Sequence, residues 1–140
     1  MPTMTQEQIE AFLREPHHAV VGTNRVDGPP QLSPVWYLYE DGRFYFTTWK
    51  GAAKYRNLAR DPRISLCIDG GAGDYRSVIV YGVATPVDPS DPLLDAMRWR
   101  ITRRYYDTDE DARHYLESEP PLDTVLFVVT PAKVISQDYS

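Results

Sequence analysis

Apolar residues in this chain fall into short β-rich runs separated by turn formers, with a few helically spaced stretches set between them. Residues 18–23, 31–39, 43–48, 64–69, 77–87 and 124–130 are rich in β-branched and aromatic side chains and are bounded by Gly, Pro, Asn or Asp, which predicts strands. The last run continues past Pro131 through residues 133–136. Asp41-Gly42, after Glu40, joins two of these runs and predicts a tight hairpin. Gly82 inside residues 77–87 predicts a bulge or bend.

Helical signals are equally local. Thr5 followed by Gln8 reads as a capping box ahead of Ile9, Phe12 and Leu13, and Pro16 closes that helix. Residues 52–61 predict a helix that stops before Pro62, with Tyr55, Leu58 and Ala59 on one face. Asp91-Pro92 opens another, carrying Leu94, Met97, Ile101 and Tyr105. A short helix follows Thr108, and Pro120-Pro121 ends this helical insertion. About six strands with hairpin links and three or four peripheral helices predict one mainly β domain over residues 1–140, an antiparallel barrel with helical additions.

Composition narrows the partners. A chain of 140 residues can bury its own core, and a net charge of −5 argues against general nucleic-acid binding. Cys67 is the only cysteine, which excludes an internal disulfide and a multi-cysteine zinc site. No apolar run has the length of a membrane span, and the N-terminus lacks a signal-like segment. The expectation is a cytoplasmic protein that engages neither nucleic acid nor membrane.

The segment from Phe44 to Arg63 carries the strongest functional signal. An aromatic strand runs into Thr47 and Thr48, and a short turn then opens a helix, with Lys50 just before it and Lys54 in its first turn. Helix N-termini present free N–H groups and a positive dipole end, so cations there are disfavoured unless an anion sits between them. Hydroxyls, lysines and helix start together suggest a phosphate cradle; the alternative is a strand-turn-helix with solvated lysines. Ser33-Pro34-Val35-Trp36 reads as part of the hairpin strand beside it, where a proline confines the strand to an edge or bulge. Trp36 and Trp49 are candidates to flank a planar ring, or are core residues.

Other patterns exclude chemistries. His17 and His18 are adjacent and point to opposite faces of a strand, His114 lies in a polar helix, and no spaced metal-ligand motif occurs. Gly70, Gly71 and Gly73 lack the strand-to-helix context of a dinucleotide fingerprint, and no Gly-x-Ser-x-Gly elbow is present. Arg98, Arg100, Arg103 and Arg104 read first as a solvated face paired with acids; the alternative is a landing site for an anionic cofactor tail.

With these residues in place, the chain resembles the pyridoxamine 5′-phosphate oxidase-like, FMN-binding split-barrel superfamily. Within it, the branch that uses the deazaflavin coenzyme F-420 is most similar. The matching features run in order through Asp27-Gly28, Pro30, Pro34-Val35-Trp36, Phe44 to Thr48 and Lys54 to Arg63. They continue through Tyr75-Arg76, Val78 to Gly82, Arg103 to Tyr106 and the closing strand through Pro131. The resemblance implies a six-stranded antiparallel split β-barrel that forms a homodimer with two cofactors at the subunit interface. It implies that Ser33, Pro34, Val35 and Trp36 contact the cofactor ring, and that Thr47, Thr48 and Lys54 hold phosphate with Lys50 and Asn57 assisting. Arg76 and Ser77 would approach from the other strand set, across the dimer.

Two departures from the family pattern matter. Ala53 stands where the oxidases have an arginine before the family lysine, and the chain ends at Ser140 without their C-terminal Trp/Arg segment. Oxidation of pyridoxamine phosphate is therefore not the expected reaction. The resemblance implies hydride transfer from F-420 to a small unsaturated substrate. No general acid is assigned; Tyr75 and Tyr81 read first as structural tyrosines, with proton donation as the alternative. An FMN-dependent oxidoreductase and a non-catalytic flavin- or tetrapyrrole-binding protein are the alternatives. An F-420 polyglutamate tail would need further cations, for which Arg56, Arg60 and the third-helix arginines are candidates.

Overall fold

The computed structural model describes residues 2–120 and 123–140 of the chain; Pro121 of the expected Pro120-Pro121 break lies outside them. The elements in order are α1 (Gln6–Arg14), β1 (Ala19–Thr23), β2 (Gln31–Val35), β3 (Leu38–Glu40), β4 (Arg43–Trp49) and α2 (Ala53–Arg60), then β5 (Arg63–Asp69), β6 (Arg76–Pro86), α3 (Leu93–Arg103), α4 (Asp109–Ser118) and β7 (Thr124–Asp138). The strands form one antiparallel seven-stranded sheet in the order β2-β1-β5-β6-β7-β4-β3.

The count of seven, where the sequence predicts about six, comes from one break. Residues 31–39 do not form a single strand. Trp36 and Tyr37 interrupt the run, and the two halves pair at opposite edges of the sheet, β2 with β1 and β3 with β4. Three Cα steps span at most about 11 Å, so the two edges must come close and the sheet must curl on itself. The result is a split barrel. The backbone groups that Tyr37 loses from the sheet are recovered from the residues just after α3: its N–H donates to the Tyr105 hydroxyl at 3.2 Å, and its carbonyl accepts from Arg104.

Local chemistry explains most boundaries. The Thr5 hydroxyl accepts from the Gln8 N–H and the Gln8 side chain accepts from the Thr5 N–H, completing the capping box. Asp41 and Gly42 both adopt positive φ, 51° and 78°, as a two-residue type I′ hairpin requires. Asp91 caps α3 by accepting from the Leu93 N–H, and Thr108 caps α4 by accepting from the Asp111 N–H. Between Tyr81 and Gly82 the register with β7 slips, leaving Ala132 as the extra residue of a bulge.

Burial alternates along the strands and yields two apolar clusters. Inward side chains such as Val21, Phe46, Ile68, Val80 and Phe127 fill the barrel together with Phe12 and Leu13 of α1. A smaller cluster forms on the outer surface, where Leu38 and Leu126 meet Met97 and Ile101 of α3. The helical insertion is thus fastened over β4 and β7, and a cavity opens beside that seam.

Candidate functional site

The cavity has a volume of about 450 Å³ and lies between the β2–β3 break, the end of β4, the start of α2 and the α3–α4 pair. Its size falls within the range of small-molecule sites. Pro34, Val35, Trp36, Thr47, Thr48, Trp49 and Lys54 contribute one part of the wall. The segments 33–36 and 47–54, expected as neighbours in one hairpin, belong to strands on opposite sides of the sheet order. Curling of the sheet brings them together: Lys54 Nζ is 3.3 Å from Ser33 Oγ.

Three features of this wall suit an anion. The N-cap of α2 is Ala52, which offers no side-chain cap, and the first turn holds no acid, so its N–H groups and dipole end are uncompensated. Lys54 is half-buried and belongs to none of the ion pairs among the described residues; desolvation alone lowers its pKa. Thr48 is 8% exposed, and its Oγ1 is the one buried side-chain polar atom among the described residues without a hydrogen-bond partner. A buried hydroxyl left unpaired costs about 1–3 kcal/mol. A phosphate-bearing group fits this set of donors.

The helix that carries Lys54 is locked in place from below. Buried Asn57 donates to Thr23 Oγ1 at 3.1 Å, and Leu58 packs into the barrel core. Asn57 is therefore an anchor for α2 and is not part of the cavity lining. Lys50 also points elsewhere, into a neighbouring groove with Asp95, Arg98 and Asp123. Arg76 lies apart from the cavity, its guanidinium 4.8 Å over the Phe12 ring and paired with Asp74 and Glu15. Ser77 sits opposite Gln137 on β7. Glu15, His17 and Asp74 converge near Arg76, which pairs with both acids.

The aromatic part of the wall is more elaborate than two flanking tryptophans. The Trp36 indole stacks on Tyr105 at 4.8 Å and 9°, meets Tyr115 at 5.2 Å, and donates its Nε1–H to His18 Nε2 at 3.2 Å. Trp49 stays 45% exposed and folds over Gly51, where any Cβ would collide with its ring. Tyr75 and Tyr81 are exposed and outside the cavity lining.

Sequence reasoning missed His18, Tyr115 and Glu119, all of which line the cavity. A signal for Tyr115 exists: Ala112, Tyr115 and Leu116 are the apolar face of an otherwise polar helix. Glu119 accepts from Arg98 Nη2 at 2.6 Å. Burial, then the hydrogen bond to Glu119, pushes the Tyr115 phenol up to about 12. The remaining α3 arginines are committed elsewhere. Arg100 pairs with Glu40 and Arg103 with Asp109, while Arg104 donates to the carbonyls of Arg14 and Glu15 at the end of α1.

Comparison with known proteins agrees with this architecture. Residues 5–138 match the family model for pyridoxamine 5′-phosphate oxidase. A pyridoxine/pyridoxamine 5′-phosphate oxidase of Bacteroides thetaiotaomicron is 36% identical over 87 residues, covering 61% of this chain and 40% of that protein. The chain therefore spans well under half the length of that relative. Among solved structures, an F420 reductase is similar at 26% identity and a TM-score of 0.69, covering 89% of this chain and 94% of the other. A conserved hypothetical protein of Mycobacterium tuberculosis matches at 28% identity and a TM-score of 0.79, over 98% of this chain and 86% of that one. With its split barrel and a family match over nearly its whole length, the chain belongs to the pyridoxamine 5′-phosphate oxidase family.

Proposed function

We propose that the protein is an oxidoreductase that uses coenzyme F-420 to reduce a small unsaturated substrate. The observation that carries this reading is the pairing of the orphaned Thr48 hydroxyl with acid-free Lys54 beside the uncapped start of α2. The similarity to an F420 reductase supports deazaflavin over other phosphate-bearing cofactors. Reduced F-420 supplies a hydride when bound. Lys54, Thr48 and the α2 N–H groups hold its phosphate, while Trp36 and Trp49 bound the ring. Val35 and Ile101 exclude water from the reacting centre.

A second reading, FMN in the same cradle, is favoured by one observation. The α3 arginines are bound to acids or carbonyls, and Arg56 and Arg60, exposed on α2, already donate to the Gly51 and Asn24 carbonyls, so none of these candidates is uncommitted for a polyglutamate tail. Titrating the cofactor-free protein with each compound and following Trp36 and Trp49 fluorescence separates the two. Saturable quenching by F-420 with weak FMN binding supports the first reading, and the reverse order moves the protein to the second. Quenching by neither removes both.

The same reading includes a homodimer. Outward side chains of five strands align in one row, Pro34 beside Val20, then Cys67, Ile79 and Ile135, with Ser77 and Tyr81 flanking Ile79 on β6. A second copy of the chain covers this apolar face and brings Ser77 to the interface. Sedimentation should give a dimer, and Ile79→Glu should give a monomer that keeps its fold; an unchanged mass for the variant would place the interface elsewhere.

A further inference from the structure

We propose that Glu119 sets the charge of the compound that occupies the α3–α4 end of the cavity, restricting that end to uncharged conjugated carbonyl compounds. The inference rests on the reading of the cavity as a site for cofactor and acceptor. It concerns the wall formed by Arg98, Tyr115 and Glu119, distinct from the Lys54 and Thr48 cradle.

Arg98 is the only cavity-lining cation besides Lys54 among the described residues, histidine aside. It is joined to Glu119 at 2.6 Å with both side chains about one-third exposed, at 31% and 34%. That contact uses a single N–H of Nη2. A guanidinium carries five N–H donors, so Arg98 can also donate to a carbonyl oxygen without giving up Glu119. The Tyr115 hydroxyl is directed to the same carboxylate and remains protonated at neutral pH. On the other side of Arg98, Lys50, Asp95 and Asp123 line the adjoining groove. This end of the cavity therefore offers hydrogen-bond donors without net positive charge.

The consequence for selectivity is electrostatic. A neutral carbonyl accepts an N–H from Arg98 and leaves the ion pair intact. A carboxylate must either displace Glu119 or sit beside it, and like charges at that distance in a partly desolvated wall repel. The planar faces of Trp36 and Tyr115 supply the apolar contact that a conjugated skeleton needs.

Methyl cinnamate and cinnamate share one conjugated skeleton and differ in charge, so their affinities isolate this effect. Binding to the cofactor-free protein is followed by tryptophan quenching, and the ratio of the two Kd values is compared between variants. Attraction of cinnamate to Lys54 is common to all variants and cancels. Glu119→Gln should shift the wild-type ratio toward the acid by about tenfold or more, the size of one freed charge-assisted contact. Glu119→Asp should keep the wild-type preference, and Arg98→Gln combined with Glu119→Gln should remove the gain. An unchanged ratio in Glu119→Gln overturns the proposal, as does a shift that persists without Arg98. Titration of the same variants with F-420 and FMN reports on the cradle separately, so loss of cofactor binding and loss of charge selectivity are distinguishable.

Discussion

Lys54 Nζ lies 3.3 Å from Ser33 Oγ, joining the first turn of α2 to the edge strand β2 at the cavity wall. The lysine has no acid to offset its desolvation, and burial lowers its pKa. Such a group destabilises the empty protein and becomes favourable when an anion arrives.

Replacing it should therefore move stability and binding in opposite directions. Lys54→Met should raise the Kd for the phosphate-bearing cofactor by about ten- to a hundredfold, the 1.5–3 kcal/mol of a charge-assisted contact. The same variant should melt higher than the wild type at neutral pH. The folded pKa lies below the unfolded value, so wild-type stability rises as pH increases through the lowered pKa and the lysine sheds its charge. The difference in Tm should shrink toward alkaline pH; a constant difference would show that the charge is not the cause.

Thr48→Val tests the orphaned hydroxyl at nearly constant volume. Removing a buried, unpaired polar atom should leave Tm unchanged or raise it by up to about 1 kcal/mol of stability. Cofactor affinity should fall, because the hydroxyl is then absent from the cradle. Parallel losses in melting and titration would assign Thr48 to packing alone.

Gly82 is fixed by close approach. A Cβ there would run into the Thr130 carbonyl across the bulge, a backbone atom that cannot rotate away. Gly82→Ala should cost about 1–3 kcal/mol in urea denaturation. A neutral result would mean that the bulge relaxes.

Asp74 accepts from the Arg76 backbone N–H and from its guanidinium at 2.7 and 2.8 Å, which hold its carboxyl at about 2. A depressed folded pKa contributes stability that is complete above the ordinary carboxylate range and is lost as pH falls from about 4 to about 2. Asp74→Asn should flatten that limb of the Tm-versus-pH curve while leaving a lower plateau near neutrality. An unchanged acid slope would assign the loss to other carboxylates.

Much of this protein was legible in its residues because the governing interactions are local. The Thr5/Gln8 capping box, the Asp41-Gly42 hairpin, the Asp91 and Thr108 caps and the Gly82 irregularity each depend on atoms a few residues apart. That Thr47, Thr48 and Lys54 share one cavity wall was likewise readable, since a strand end followed by a helix start is written in consecutive residues.

The tertiary structure decided what lies far apart in sequence. Residues 31–39 satisfy strand propensity apart from Pro34, and curling of the sheet, with Arg104 and Tyr105 taking up the Tyr37 backbone, splits them between two edges. Lys50 and Asn57 are as close to the cradle in sequence as Lys54, yet side-chain direction sends one to a neighbouring groove and the other to Thr23. Glu119 and Arg98 meet only because α4 returns alongside α3. Sequence determined the elements and the uncapped start of α2 through short-range sterics and hydrogen bonding; long-range packing of the α3–α4 insertion on β4 and β7 decided which side chains share the cavity.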